Sequence, residues 1–74
     1  MNNYEGYIHS NGSLMVVKVQ QWQDSAVDLT SPFVFKYLGK KFLPSLNQAK
    51  QYFTELNGGK KYVDISELKK GAKN

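Results

Sequence analysis

The chain contains no cysteine and no arginine, and its one histidine is His9. Without cysteine, neither a disulfide nor a thiolate zinc site can stabilise the fold, and one histidine with scattered carboxylates predicts no metal site. Arginine reads guanine through paired hydrogen bonds, so its absence disfavours sequence-specific DNA recognition. No apolar run is long enough to span a bilayer, and the first residues lack a signal-peptide pattern. We therefore expect a cytoplasmic protein without membrane contact.

The composition that remains fits one small domain, residues 1–74. Hydrophobic residues make up 41% of the chain, enough for a compact core. The net charge of +4 comes from ten lysines, nine of which follow residue 35. A basic second half indicates an acidic partner or a nucleic acid, or simply a solvated surface. Residues 69–74 are expected to form a frayed basic tail.

Asn11-Gly12 separates two strand-like runs, residues 4–10 and 13–22, and predicts a hairpin with a two-residue type I′ turn. That register places Tyr7 opposite Val16. Because side chains alternate between faces, the predicted core face carries Tyr4, Gly6, Ile8, Met15, Val17 and Val19. The other face carries Glu5, Tyr7, His9, Leu14, Val16, Lys18, Gln20 and Trp22. This second set is more apolar than a solvated face requires.

The rest of the chain predicts one further strand on each side of a helix. Residues 23–32 are predicted as a loop, and residues 33–43 as a strand interrupted by a turn or bulge at Gly39-Lys40. Ser45 and Gln48 form a capping box before an apolar stripe that ends at Asn57-Gly58-Gly59. Residues 60–65 are predicted as a fourth strand. The order β-β-β-α-β predicts an α+β fold, with one helix on one face of an antiparallel sheet of about four strands and the second face uncovered.

We expect no enzyme, no catalytic residue and no cofactor, because no motif places a nucleophile and an acid beside His9. The uncovered apolar face favours a binding protein instead, since Tyr and Trp are typical interface residues. The expected partner-binding residues are Tyr7, His9, Val16, Lys18, Gln20, Trp22 and Lys36.

Two alternatives use the same surface. A nucleic-acid-binding domain could stack bases on the aromatic side chains and attract phosphates through lysines. The candidate lysines are Lys18, Lys36, Lys40, Lys41, Lys60 and Lys61. A homodimer that buries the apolar face is the other alternative.

Several short motifs carry a resemblance. They are Gly6-Tyr7-Ile8, Asn11-Gly12, Val17-Lys18-Val19, Gly39-Lys40-Lys41-Phe42 and the Ser45-capped helix through Phe53 and Leu56. Over residues 4–57 the chain resembles the AP2-like arm-binding domain of phage and mobile-element tyrosine recombinases. The resemblance implies a three-stranded sheet that enters the DNA major groove, with Lys18, Gln20 and Lys36 at the matching sheet positions.

In size and style the chain is also similar to small phage accessory proteins, including anti-CRISPR inhibitors. This resemblance implies a non-catalytic protein that binds a host protein or a nucleoprotein through its exposed sheet face.

Overall fold

The computed structural model describes residues 1–20, 24–64 and 66. The elements are β1 (Asn2–His9), β2 (Leu14–Val19), β3 (Val34–Leu43) and α1 (Leu46–Leu56). The strands form one antiparallel sheet in the order β2-β1-β3, and α1 packs on one of its faces. The α+β class is confirmed, with three strands in place of about four.

The hairpin between β1 and β2 turns through three residues, Ser10, Asn11 and Gly12. The His9 N–H donates to the Ser13 carbonyl at 2.8 Å, and the Gly12 N–H donates to the His9 carbonyl at 2.8 Å. Gly12 has a φ of 94°, as expected for a three-residue loop that ends in a left-handed glycine. The predicted two-residue turn is wrong because Asn11 stabilises the longer loop: its Oδ1 accepts both the N–H and the hydroxyl of Ser13.

The extra loop residue shifts the register of β2 by one position. Gly6 pairs with Val16, and Tyr7 pairs with Met15. A shift of one residue moves every side chain of a strand to the other face, so the predicted faces of β2 are wrong. The face that carries α1 takes Leu14, Val16 and Lys18, whereas the opposite face, termed the outer face, takes Met15, Val17 and Val19.

The helix begins and ends where the sequence predicts. Ser45 Oγ accepts the N–H of the third helical residue at 3.3 Å. At the other end, the Gly58 N–H donates to the Glu55 carbonyl at 3.1 Å and the Gly59 N–H donates to the Thr54 carbonyl at 2.8 Å. With a φ of 72° at Gly58, these bonds form a Schellman motif. No helix in the described part of the chain has the length and apolar character to cross a membrane.

The core lies where α1 crosses β1. Ala49 and Phe53 are fully buried and pack against Tyr4. Gly6 permits this close approach, because a Cβ at its position would lie 2.5 Å from the Phe53 ring. The half-buried residues around the cluster are Leu14, Val16, Leu38, Leu43 and Tyr52. Met15 and Val17, which the sequence placed against the helix, are not among them.

β3 is one strand with a bulge, as its glycine predicts. Gly39 has a φ of 123°, and the pairing of β3 with β1 shifts between Gly6 and Tyr7.

The predicted fourth strand, residues 60–65, is replaced by one antiparallel bridge between Tyr62 and Ser13. The segment meets the chain at the start of β2 and then runs toward the hairpin loop. Its later residues therefore have no residues of β2 to pair with. Ile65 and the predicted tail, residues 69–74, lie outside the described residues.

The chain between β2 and β3 has to cross β1, because both outer strands run antiparallel to the central one. Residues 24–33, the crossover segment, lead into β3 on the outer face, where Ser25 and Ala26 hydrogen-bond to Glu5. The expectation of an uncovered second face is therefore wrong at its centre: Glu5 is 0% exposed and Val19 is 4% exposed.

The contact between Gly6 and Phe53 can be tested through stability. We expect Gly6→Ala to lower the free energy of unfolding by about 1–3 kcal/mol, the usual cost of overpacking a core. The measurement is urea denaturation followed by circular dichroism. In a Phe53→Leu background the same change should cost less, since the ring that the new methyl group meets is gone. Equal costs in both backgrounds would contradict this packing.

Candidate binding surface

A buried carboxylate lies at the centre of the outer face. Glu5 Oε1 accepts the Ala26 N–H at 2.6 Å and the Ser25 hydroxyl at 3.1 Å, and Oε2 accepts the Tyr37 hydroxyl at 2.5 Å. A buried charge is strongly unfavourable unless hydrogen bonds replace its water. These three donors meet that need, and they join β1 to the crossover segment and to β3.

The phenol of Tyr37 is altered by this contact. Burial, the hydrogen bond to Glu5 and the charge of Glu5 together raise the pKa of Tyr37 to about 12. The hydroxyl therefore remains a protonated donor throughout the neutral range.

The crossover segment is fixed at both ends. Near its start, the Lys40 ammonium donates to the Asp24 carbonyl, and Lys40 lies beside Glu5 in the sheet register. At its end, the Ser10 N–H donates to the Phe33 carbonyl at 2.8 Å. The segment is thus bound to the edge strand β3 and to the hairpin loop.

Aromatic and thioether side chains lie together on the outer face beside the Glu5 network. The register aligns Met15, Tyr7 and Tyr37 in one row across the three strands. His9 follows on the same face of β1, and its ring stacks on Phe33 with 5.7 Å between centroids and 24° between planes. These five residues form the aromatic patch.

The aromatic patch retains much of its surface in contact with solvent. Phe33 is 62% exposed, and Met15 is 38% exposed. His9 Nδ1 accepts the Asn11 N–H at 3.0 Å, so the neutral ring carries its proton on Nε2 and can donate there. The patch combines apolar area with hydrogen-bonding groups, which is the composition of protein interfaces.

The structure brings together only part of the predicted partner-binding set. Tyr7 and His9 share the outer face, as expected. Val16 and Lys18 lie on the face that carries α1 because of the register shift.

Two other predicted residues, Lys36 and Gln20, lie apart from the aromatic patch. Lys36 pairs with Ile8 and shares its face, which is the face of α1. Gln20 is exposed just beyond β2. Trp22 lies outside the described residues.

The lysines of the nucleic-acid alternative are divided between the two faces. Lys40 belongs to the outer face, whereas Lys41 lies on the face of α1 with its ammonium 5.4 Å from the centroid of the Tyr52 ring. Lys60 and Lys61 are exposed beyond the end of α1. No single face collects the six candidate lysines.

Four important residues were missed by sequence reasoning. Met15 was assigned to the core, Phe33 and Tyr37 were assigned to a strand without a role, and Glu5 was placed on a face without a contact. The sequence did contain a sign that an apolar residue of β2 would lie on the outer face. β2 is apolar at both odd and even positions, so either register leaves apolar side chains there.

Two aspartates stabilise local turns. Asp28 Oδ1 accepts the hydroxyl and the N–H of Thr30, which holds the pKa of Asp28 below its ordinary value. Hydrogen bonds from Ser66 likewise lower the pKa of Asp64. Within residues 1–20, 24–64 and 66, no three side chains of His, Asp or Glu converge in a way that could hold a metal ion.

Comparisons with protein-family models, with curated proteins and with solved structures found no match to this chain.

Replacement of the buried carboxylate should be costly. We expect Glu5→Gln to lower the free energy of unfolding by about 2–4 kcal/mol, because an amide cannot accept from donors at both of its ends and hydrogen bonds to a charged group are the stronger ones. Urea denaturation measures the change. Glu55→Gln, on the exposed side of α1, is the matched control and should change stability little. Equal effects of the two substitutions would contradict the buried network.

The raised pKa of Tyr37 has a stability consequence. Since the folded pKa of about 12 exceeds the ordinary value of 10.0, the contribution is fully present below pH 10 and is lost as the pH rises toward 12. The phenolate absorbance of the five tyrosines should include one step near pH 12 that Tyr37→Phe removes. A highest step that persists in Tyr37→Phe would contradict the contact with Glu5.

Proposed function

We propose that this chain is a non-catalytic cytoplasmic binding protein whose aromatic patch contacts another protein, alone or within a nucleoprotein. The observation that carries the proposal is the row of exposed Met15, half-buried Tyr7 and exposed Tyr37, extended by the stacked pair of His9 and Phe33. Exposed apolar clusters of this kind are typical of interaction sites, and aromatic residues contribute most to binding energy at protein interfaces.

The crossover segment supports the proposal because it holds the patch in place. Tyr37 is fixed through its hydroxyl to Glu5, and Phe33 is fixed through its carbonyl to Ser10. Side chains that are ordered before binding lose less conformational entropy on association. The patch is therefore a preorganised surface as well as an apolar one.

The nucleic-acid alternative receives less support from the geometry. A groove-binding sheet face presents its basic side chains together, whereas here Lys40 faces one side of the sheet and Lys41 the other. The crossover segment also lies over the centre of the outer face at Glu5. The role of a phage or mobile-element accessory protein or inhibitor remains an expectation from the sequence resemblance.

The test compares two double variants in capture experiments with extract of the source cells. Met15→Ser with Phe33→Ser removes apolar surface from the patch, and Leu46→Ser with Leu56→Ser removes comparably exposed surface from α1. A partner retained by the wild type and by the helix variant should bind the patch variant at least about tenfold less. Retention should persist after nuclease treatment.

Three outcomes would overturn the proposal. One is equal retention by both double variants. Another is complete loss of the partner after nuclease treatment, together with salt-sensitive binding to duplex DNA, which would favour the nucleic-acid alternative. The third is a wild-type dimer in sedimentation that the patch variant converts to a monomer, which would assign the patch to self-association.

A further inference from the structure

β2 lies at an edge of the sheet, and within residues 1–20, 24–64 and 66 its outward backbone groups are engaged only at its start. The Leu14 N–H donates to the Lys61 carbonyl at 3.0 Å, and the Val63 N–H donates to the Gly12 carbonyl at 2.7 Å. Outward groups recur at every second residue of an antiparallel strand, so Val16 and Lys18 present their N–H and C=O groups on the same side. Among the described residues, neither has a backbone partner there.

The described part of the bridging segment runs away from the rest of this edge. Tyr62 pairs antiparallel with Ser13, so the chain runs from Lys61 toward Gly12 and away from Val16. The chain thus begins to add a fourth strand to the sheet and leaves it after one bridge. The remaining length of β2 offers a template for a strand from another molecule.

A groove of about 250 Å³ lies beside this edge, between β2 and α1. Leu14 and Val16 form its apolar part, and Lys50, Thr54 and Lys61 contribute its polar part. None of the described residues that line it is acidic. The groove therefore combines a small apolar contact area with two cationic side chains.

We propose that the free edge of β2 binds an extended acidic peptide by strand addition. The peptide backbone pairs with the outward groups of Val16 and Lys18, and alternate peptide side chains face the groove. An acidic side chain opposite Val16 meets the ammonium groups of Lys50 and Lys61, and the next one on that face meets Lys18. Backbone pairing supplies affinity, and the lysines select negative charge.

The other edge of the sheet is less suited to strand addition. β3 carries a bulge at Gly39, and its register with β1 shifts again between Ile8 and His9. Bulges twist an edge away from regular pairing. Pairing between two copies is also disfavoured, because lysines on the edge strands of both molecules would be brought together in a chain of net charge +4.

This surface is separate from the aromatic patch. Val16 and Lys18 face α1, whereas Met15 of the patch faces the opposite side of the same strand. Failure of one surface to bind therefore leaves the other unaffected, and the experiment below does not depend on the proposed function.

The probe is a fluorescein-labelled eight-residue peptide of alternating valine and glutamate with capped ends, and binding is followed by fluorescence anisotropy. Its charge control replaces each glutamate with lysine and should not bind. Two further probes carry backbone N-methyl groups on one or the other alternate set of residues. In strand addition only the N–H groups on one side of the peptide donate to β2. One methylated peptide should therefore bind like the unmodified probe. The affinity of the other should fall by at least about fivefold, which corresponds to one backbone hydrogen bond.

Two protein variants separate the backbone contribution from charge. Lys18→Ala removes the charge, and Lys18→Pro removes the charge and the outward N–H while leaving the ladder with β1 intact. We expect Lys18→Pro to bind the probe at least about fivefold more weakly than Lys18→Ala. Binding should also slow amide exchange at Val16 in the wild type.

Equal binding of the two methylated peptides, with unchanged amide exchange at Val16, would overturn strand addition whatever the stability of the protein variants. The proposal would also be overturned if a short DNA duplex displaced the peptide and bound more tightly than it. The lysines would then be a nucleic-acid-binding site.

Discussion

The hydrogen bonds of the Glu5 carboxylate are the interaction on which the positions of the crossover segment and β3 depend. Glu5 lies on the central strand, is 0% exposed, and carries a charge that the interior tolerates only when donors surround it. Ala26 and Ser25 supply two donors from the crossover segment, and Tyr37 supplies the third from β3. One side chain thus specifies where the crossover segment lies and which part of β3 stands beside it.

The same carboxylate divides the outer face into a covered part and an open part. The crossover segment has to pass over β1 because β2 and β3 flank it, and the hydrogen bonds to Glu5 determine the place of the crossing. Val19 is buried on that face, whereas Met15 keeps 38% of its surface exposed. Met15 and Phe33 remain open toward the hairpin loop, and Phe42, which pairs with Asn3 at the other end of the sheet, is 54% exposed.

Features set by local chemistry could be predicted from the sequence, and features set by distant partners could not. The helix needs only Ser45 at its start and Gly58 at its end, and the bulge at Gly39 needs only a glycine within an alternating strand. The hairpin register was missed because Asn11-Gly12 occurs in both two- and three-residue loops. Since β2 is apolar at both its odd and its even positions, its hydrophobic pattern does not distinguish the two registers. Burial of Glu5 depends on donors 20, 21 and 32 residues away, which no local pattern reveals.

A strand with apolar side chains at both odd and even positions places apolar surface on both faces of the sheet. In β2 the even positions, Leu14 and Val16, complete the helix-facing core. Of the odd positions, Val19 is buried and Met15 is exposed. Burial therefore explains the apolar side chains on one face of β2 and part of those on the other face. Apolar surface that remains exposed contributes little to the stability of the monomer, and this is the physical basis for proposing that the aromatic patch contacts another molecule.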